Sequence, residues 1–161
     1  ALLDIVDYYN EESSSRSDLA AAISNLGDWY VLFNQRRQAQ ESYNLAWQIL
    51  AELDNCDELI QQFFGQVVPI PIFGRPTSLG TAPPNDSTRE GLRSAYADVI
   101  FDVSAMGGVR NLRMQSEITE ENSDQLSRLR REIRRSTFRP LIIEGQPVIS
   151  RDHQFRYRYW Y

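Results

Sequence analysis

The sequence predicts an α+β protein of two domains: a helical N-terminal half, and a C-terminal half ordered strand–strand–helix–strand with an antiparallel sheet. Three observations support this prediction. Apolar residues recur with a helical period up to about residue 66 and alternate with polar residues from about residue 96. Five of the seven prolines lie between these two regions. Residues 1–80 hold four Arg and eleven acidic residues, net −7, whereas residues 81–161 hold thirteen Arg and eleven acidic residues, net +2.

The prolines set the domain boundaries. Proline fixes φ and removes an N–H donor, so the stretch that contains Pro69, Pro71, Pro76, Pro83 and Pro84 is expected to be an extended linker. We therefore place a helical domain at 1–66, a linker at 67–92 and a second domain at 93–161, and expect the two domains to fold independently.

The helical half divides into short helices. Apolar spacing suits a first helix within 1–10 and a second over 19–34, for which Asp18 is a candidate N-cap. A polar break then leads into a third helix over 39–53, which makes a helical hairpin with the second. Residues 57–65 are predicted to form a further short helix.

The C-terminal half begins with period-two alternation. Residues 96–103 and 109–116 are predicted strands, joined at Gly107-Gly108, where two glycines suit the positive φ angles of a hairpin turn. Residues 119–136 are predicted to be a helix and 153–161 the final strand.

The predicted helix 119–136 has a narrow apolar stripe of Leu126, Leu129 and Ile133. Thr119 or Asn122 could cap it, and Pro140 is expected to stop it. Its first residues are acidic and its last turns carry arginines, which favours the helix dipole at both ends.

An arginine run ends this helix and continues beyond it: Arg128, Arg130, Arg131, Arg134, Arg135 and Arg139. We interpret the run as a solvated helix face, with contact to lipid head groups or to an acidic partner as the alternatives. Contact with nucleic-acid phosphates is disfavoured because Glu132 and the acidic N-terminal half reduce the positive field, and the domain is far from the strongly basic pattern of nucleic-acid binders.

Features that would indicate an enzyme are weak. Asp152 and His153 lie near Ser150, but a triad requires spatial geometry, and no Gly-flanked nucleophile is present. The single cysteine, Cys56, has no companion metal-ligand motif and can form no internal disulfide. Gly107-Gly108 is a turn rather than a phosphate loop. We expect no catalysis, no cofactor and no small-molecule substrate.

The chain has no apolar run near the roughly 18–20 residues that a membrane span needs. It starts at Ala1 and shows no signal peptide, so we treat it as a piece of a longer protein whose anchor or targeting signal is not seen. All 17 basic residues are arginine; we have no physical explanation for this.

Several residues of the helical hairpin stand at the offsets of a tetratricopeptide repeat: Leu26-Gly27, Tyr30, Ala39, Tyr43 and Ala46. The hairpin therefore resembles one such repeat, with Ala51 where the family has a closing proline. The resemblance implies close helix packing at the small residues, with the tyrosines filling the gaps. Another antiparallel helix pair is the alternative.

Residues 96–161 resemble the C-terminal domain of the TonB energy transducers. The elements that match, in order, are Val99–Val103, Gly108-Val109, Ser116, the helix to Arg135, Phe138-Arg139-Pro140 and Gly145-Gln146-Pro147-Val148. The resemblance implies a bacterial periplasmic location and an outer-membrane or other envelope partner. We expect Phe138 to be a core residue beside Phe101 and Ile133.

The final strand is the expected binding surface. We predict that it lies at a sheet edge, with Phe155, Tyr157 and Tyr159 facing the helix and with Arg156, Arg158 and Trp160 facing outward. A partner segment would pair with this edge by β-augmentation. The TonB resemblance implies such pairing, and Arg151, Arg156 and Arg158, near Gln154, would favour an acidic segment. The alternatives are a homodimer through the same strand, or arginines that only guard the edge against aggregation.

Together these features predict a non-catalytic, TonB-like module for protein–protein interaction in the periplasm, anchored to a membrane through a segment outside this chain. The alternative function is a tetratricopeptide-containing envelope scaffold or adaptor that is not coupled to energy transduction. Neither reading involves nucleic acid.

Overall fold

The fold was obtained as a computed structural model, which describes residues 16–71 and 93–160. The helix predicted within 1–10, most of the predicted linker, and Tyr161 lie outside the described residues. Helices and antiparallel sheets are both present, so the α+β class is confirmed.

The described part of the N-terminal half, residues 16–71, contains three helices: α1 (Arg16–Leu32), α2 (Arg36–Ala51) and α3 (Cys56–Phe64). The polar break between α1 and α2 is a tight turn in which Asn34 adopts a positive φ of 57°. The Gln35 N–H donates to the carbonyl of Tyr30 at 2.8 Å, which satisfies one of the orphan acceptors at the end of α1. The hairpin therefore closes where the sequence places it.

The contact between α1 and α2 depends on small residues. Gly27 lies against the ring of Tyr43, and a Cβ at Gly27 would come within 2.6 Å of that ring. Ala39 and Ala46 are buried with Tyr43 in the core of the helical half, and Leu26 is buried as well. Tyr30 is half-buried and packs edge-on against Trp29 at 5.4 Å between centroids.

After α3 the chain forms strand β1 (Val68–Pro69), then β2 (Ser94–Val103), β3 (Val109–Met114) and helix α4 (Ser123–Arg135). Four strands follow: β4 (Phe138–Arg139), β5 (Leu141–Ile143), β6 (Gln146–Val148) and β7 (Ser150–Trp160). The main sheet has the order β3-β2-β7 and is antiparallel, and α4 contributes buried apolar residues to its core. The short strands β5 and β6 were not predicted from the sequence.

The β2–β3 turn requires one glycine rather than two. Gly107 has φ +73° and lies against the carbonyl oxygen of Phe138, only 2.0 Å from where its Cβ would be. Gly108 does not have a positive φ, and a Cβ there would meet only the Ser104 hydroxyl at 3.5 Å. The expectation of positive φ at Gly108 is therefore wrong, and the steric constraint falls on Gly107.

Helix α4 is shorter than predicted. The Asn122 side chain accepts the Thr119 N–H at 2.8 Å and so closes a turn ahead of the helix instead of capping it. At the other end, Ser136 is already extended, with ψ 146°. Pro140 is buried between β4 and β5 and does not end the helix.

The two halves are in direct contact. Residues Val68–Pro69 pair with β4, and Val67 and Ile70 are buried, so the described start of the predicted linker is packed. Val67 joins the core of the sheet, whereas Ile70 and Ile142 join the core of the helices. Phe138 is 1% exposed, and its ring lies 5.3 Å from that of Phe101.

We expect Gly27→Ala to lower the free energy of unfolding by about 1–3 kcal/mol, because the new methyl group must displace a buried tyrosine ring. The gain in helix propensity, about 1 kcal/mol, offsets only part of this cost. Urea denaturation measures the difference. Gly108→Ala is the matched control and should leave the midpoint nearly unchanged. Equal midpoints for both variants would show that the approach at Gly27 is not tight.

Candidate partner-binding edge

Strand β7 forms one edge of the main sheet. It pairs with β2 along its length, from Ser94 opposite Trp160 to Val103 opposite Ser150, and no other described strand pairs with its outer side. The strand begins at Ser150, three residues earlier than predicted. The edge position agrees with the sequence-based expectation.

The outward backbone groups of β7 follow from the register. Asp98 of β2 directs both its backbone groups towards β3, since its carbonyl accepts the Gln115 N–H at 2.8 Å and its N–H donates to Ser116 Oγ at 3.1 Å. Its neighbour in β7 is Arg156, which therefore points its own N–H and C=O away from β2. By alternation the outward set is Gln154, Arg156, Arg158 and Trp160.

The two faces of β7 differ in burial. Tyr159 is buried, and Phe155 and Tyr157 pack against the same core; Phe155 stacks on Phe101 at 5.1 Å between centroids. Burial raises the pKa of Tyr157 to about 12. Arg151, Gln154, Arg156 and Arg158 are exposed, and Trp160 is half-buried. An incoming strand would therefore meet an aromatic face and a charged face.

The side chains of Arg156 and Arg158 each contact a neighbouring side chain on the sheet. Arg156 makes a bidentate pair with Asp98, at 2.7 and 2.9 Å. This hydrogen-bonded guanidinium lowers the pKa of Asp98, and the carboxylate raises the pKa of Arg156. The guanidinium of Arg158 lies over the Trp160 ring, 4.6 Å from its centroid. The Trp160 Nε1 is buried and has no hydrogen-bond partner among the described residues.

One bulge in β3 and another at the start of β7 lie on either side of Asp102 in β2. Asn111 and Asp152 have positive φ angles of 50° and 54°, and both donate to the carboxylate of Asp102: the Asn111 amide at 2.6 Å and the Asp152 N–H at 3.0 Å. The Asp152 N–H, the Asn111 amide, and the charges of Arg151 and Arg113 together lower the pKa of Asp102. The Asp102 carboxylate therefore links the bulge in β3 to the bulge in β7, the two strands on either side of β2.

Ser150 and His153 meet beside this bulge. Ser150 Oγ lies 2.8 Å from His153 Nε2, and Ser150 is buried. Burial lowers the pKa of His153, against the opposing effect of Asp102 and Asp152. This contact ties the first residues of β7 to one another.

Arg139 was assigned to the surface arginine run, and that assignment is wrong. Arg139 is 9% exposed and makes a bidentate pair with Asp28 of α1, at 2.6 and 2.8 Å. Burial disfavours its charge, but the Asp28 carboxylate outweighs this effect and raises the pKa of Arg139. Tyr43 also donates to Asp28, at 2.8 Å, and burial together with that carboxylate raises the pKa of Tyr43. No local sequence pattern indicates this pair, whose members are 111 residues apart.

Within residues 16–71 and 93–160, no group of three or more His, Cys, Asp or Glu side chains is placed to hold a metal ion. No helix in the same ranges is long and apolar enough to cross a membrane. Comparisons of the chain with protein-family models, curated proteins and solved structures found no match.

We expect Asp102→Asn to reduce the acid sensitivity of the fold. A carboxylate whose pKa is lowered by folding adds stability above its unfolded pKa of about 3.9, and this contribution disappears as the pH falls through the folded pKa. Wild type should therefore lose more stability than the variant between about pH 7 and about pH 3, as measured by urea midpoints. Asn111→Ala, which removes one donor and keeps the carboxylate, should give an intermediate loss. An equal loss in wild type and Asp102→Asn would contradict the role of the carboxylate.

Proposed function

We propose that the chain is a non-catalytic, TonB-like module for protein–protein interaction in the bacterial periplasm, which binds an envelope or outer-membrane partner through the open edge of β7. The observation that carries the proposal is the register of β7, in which alternate residues direct their backbone N–H and C=O groups away from the sheet. An extended segment can pair with such groups as an added strand.

Side chains beside this edge favour an acidic segment. Arg151 is exposed and has no ion pair among the described residues, and Arg158 is engaged only by a ring and the Ser94 hydroxyl. Arg156 is already neutralised by Asp98 and contributes less to a partner. The edge is thus marked by positive charge at both ends, with a neutral centre.

A second candidate function is that of a tetratricopeptide-like scaffold. One observation favours it: Phe33 is 59% exposed at the end of α1 and lies 4.4 Å from Trp29 between centroids. Exposed aromatic clusters are common at protein interfaces. In this reading the helices, rather than β7, recruit the partner.

A photo-crosslinking residue placed at Gln154 tests the edge. We expect it to form an adduct in an envelope extract, and Arg158→Pro to reduce the yield about tenfold because proline removes an outward N–H. Arg158→Ala keeps that N–H and should retain most of the yield. An adduct of twice the chain mass would identify a second copy as the partner.

Circular dichroism verifies that each variant is folded. An undiminished yield in folded Arg158→Pro would place the interaction away from the edge. A crosslinker at Phe33 that captures a partner, when one at Gln154 captures none, would favour the scaffold function.

A further inference from the structure

Helix α4 carries a concentrated positive charge that no ion pair within the described residues neutralises. Five arginines are exposed on it: Arg128, Arg130, Arg131, Arg134 and Arg135. Its acidic residues are Asp124 and Glu132, and neither forms an ion pair with them. Every ion pair in the described parts of the chain lies elsewhere. Within the described residues, the hydrogen bond that these arginine side chains make is local: Arg131 Nε donates to the Ser127 carbonyl at 3.4 Å.

The arginines cover a broad, convex area. Arg128, Arg131 and Arg135 follow the i, i+3, i+7 spacing of one helix face, and Arg130 and Arg134 form a second line at i, i+4. At 1.5 Å per residue the set spans about 10 Å along the helix. An extended acidic peptide would contact one line, whereas a continuous anionic surface can contact both.

The opposite side of α4 packs in the protein core. Leu126, Leu129 and Ile133 are buried beneath the sheet. The helix therefore has no apolar face to insert into a bilayer. None of the exposed large hydrophobic side chains in the described residues lies on α4. A protein interface usually needs such an apolar anchor, but adsorption to charged head groups does not.

We propose that the arginine face of α4 adsorbs to an anionic phospholipid surface, with the guanidinium groups contacting head-group phosphates. Arginine suits this role because its planar fork donates two parallel hydrogen bonds to a phosphate. The helix binds peripherally and stays folded in its place on the sheet. The described helical half, residues 16–71, holds three Arg and seven acidic residues, so an anionic surface attracts α4 and repels these helices. This proposal is independent of partner binding at β7.

Co-sedimentation of the full chain with vesicles tests the proposal. We expect salt-dependent binding to phosphatidylcholine vesicles that contain phosphatidylglycerol, and none to phosphatidylcholine alone. Raising the salt from about 0.05 M to about 0.5 M should release the protein, because the Debye length shortens severalfold. The triple variant R128Q/R131Q/R135Q should bind roughly 10- to 100-fold more weakly.

Two matched variants distinguish an effect of the α4 arginines from an effect of the net charge of the protein. R36Q/R37Q/R110Q makes the same change in net charge at exposed arginines elsewhere and should bind nearly as wild type does. R128K/R131K/R135K keeps the charge and should retain most of the binding. Failure to bind the anionic vesicles at low salt, or an equal loss in both Gln triples, would overturn the proposal. So would soluble polyglutamate or duplex DNA binding the same face more tightly than the vesicles, since the ligand would then be an acidic protein or a nucleic acid.

Discussion

The buried ion pair between Asp28 and Arg139 fixes the relation between the two halves of the molecule. Its side chains are 15% and 11% exposed, and a charge so far from water requires a well-placed partner. Arg139 also donates to the Phe63 carbonyl, at 3.4 Å, near the C-terminal end of α3. Through Asp28 it is linked to Tyr43 of α2 as well. A single side chain from β4 is therefore bonded to α1 and α3 directly and linked to α2 through Asp28.

The position of the candidate edge follows from this junction. Just after Arg139, the β5–β6 hairpin lies on α2: a Cβ at Gly145 would come within 2.7 Å of Asn44 Nδ2, and Gln146 hydrogen bonds to Gln40. The hairpin ends at Val148, and β7 begins two residues later at Ser150. The Asp102 carboxylate sets the course of the first residues of β7 through the bulge at Asp152. The edge is thus supported from both halves, which reduces the entropic cost of binding a strand.

Local patterns predicted the elements that local forces determine. The helical hairpin and the period-two strands follow from the spacing of apolar residues. The burial of Phe138 follows from its place between the helix and Pro140, and the edge position of the last strand follows from chain order. Strands β5 and β6 have three residues each, too few for a period to be seen. Gly107 and Gly108 are equivalent in sequence, and only the approach of Phe138 distinguishes them.

Arg139 could not have been separated from the arginine run by any local pattern. Its partner Asp28 lies 111 residues away, and an arginine four residues after Arg135 has the same local appearance whether it is buried or exposed. The sequence placed a linker at 67–92 because proline is common there, yet Val67 and Ile70 pack into the cores of different halves. Both features depend on long-range packing, which composition and periodicity do not report.

Native-state hydrogen exchange tests most directly whether the ion pair makes the two halves one cooperative unit. The backbone amides of Ala46 in α2 and Val99 in β2 are suitable reporters, because both residues are buried in the centre of their respective cores. We predict the same opening free energy at both amides in wild type, and an equal fall of about 3–5 kcal/mol in Arg139→Met, which leaves the Asp28 charge buried without its partner. Different opening free energies in wild type, or a fall confined to one half, would contradict this account.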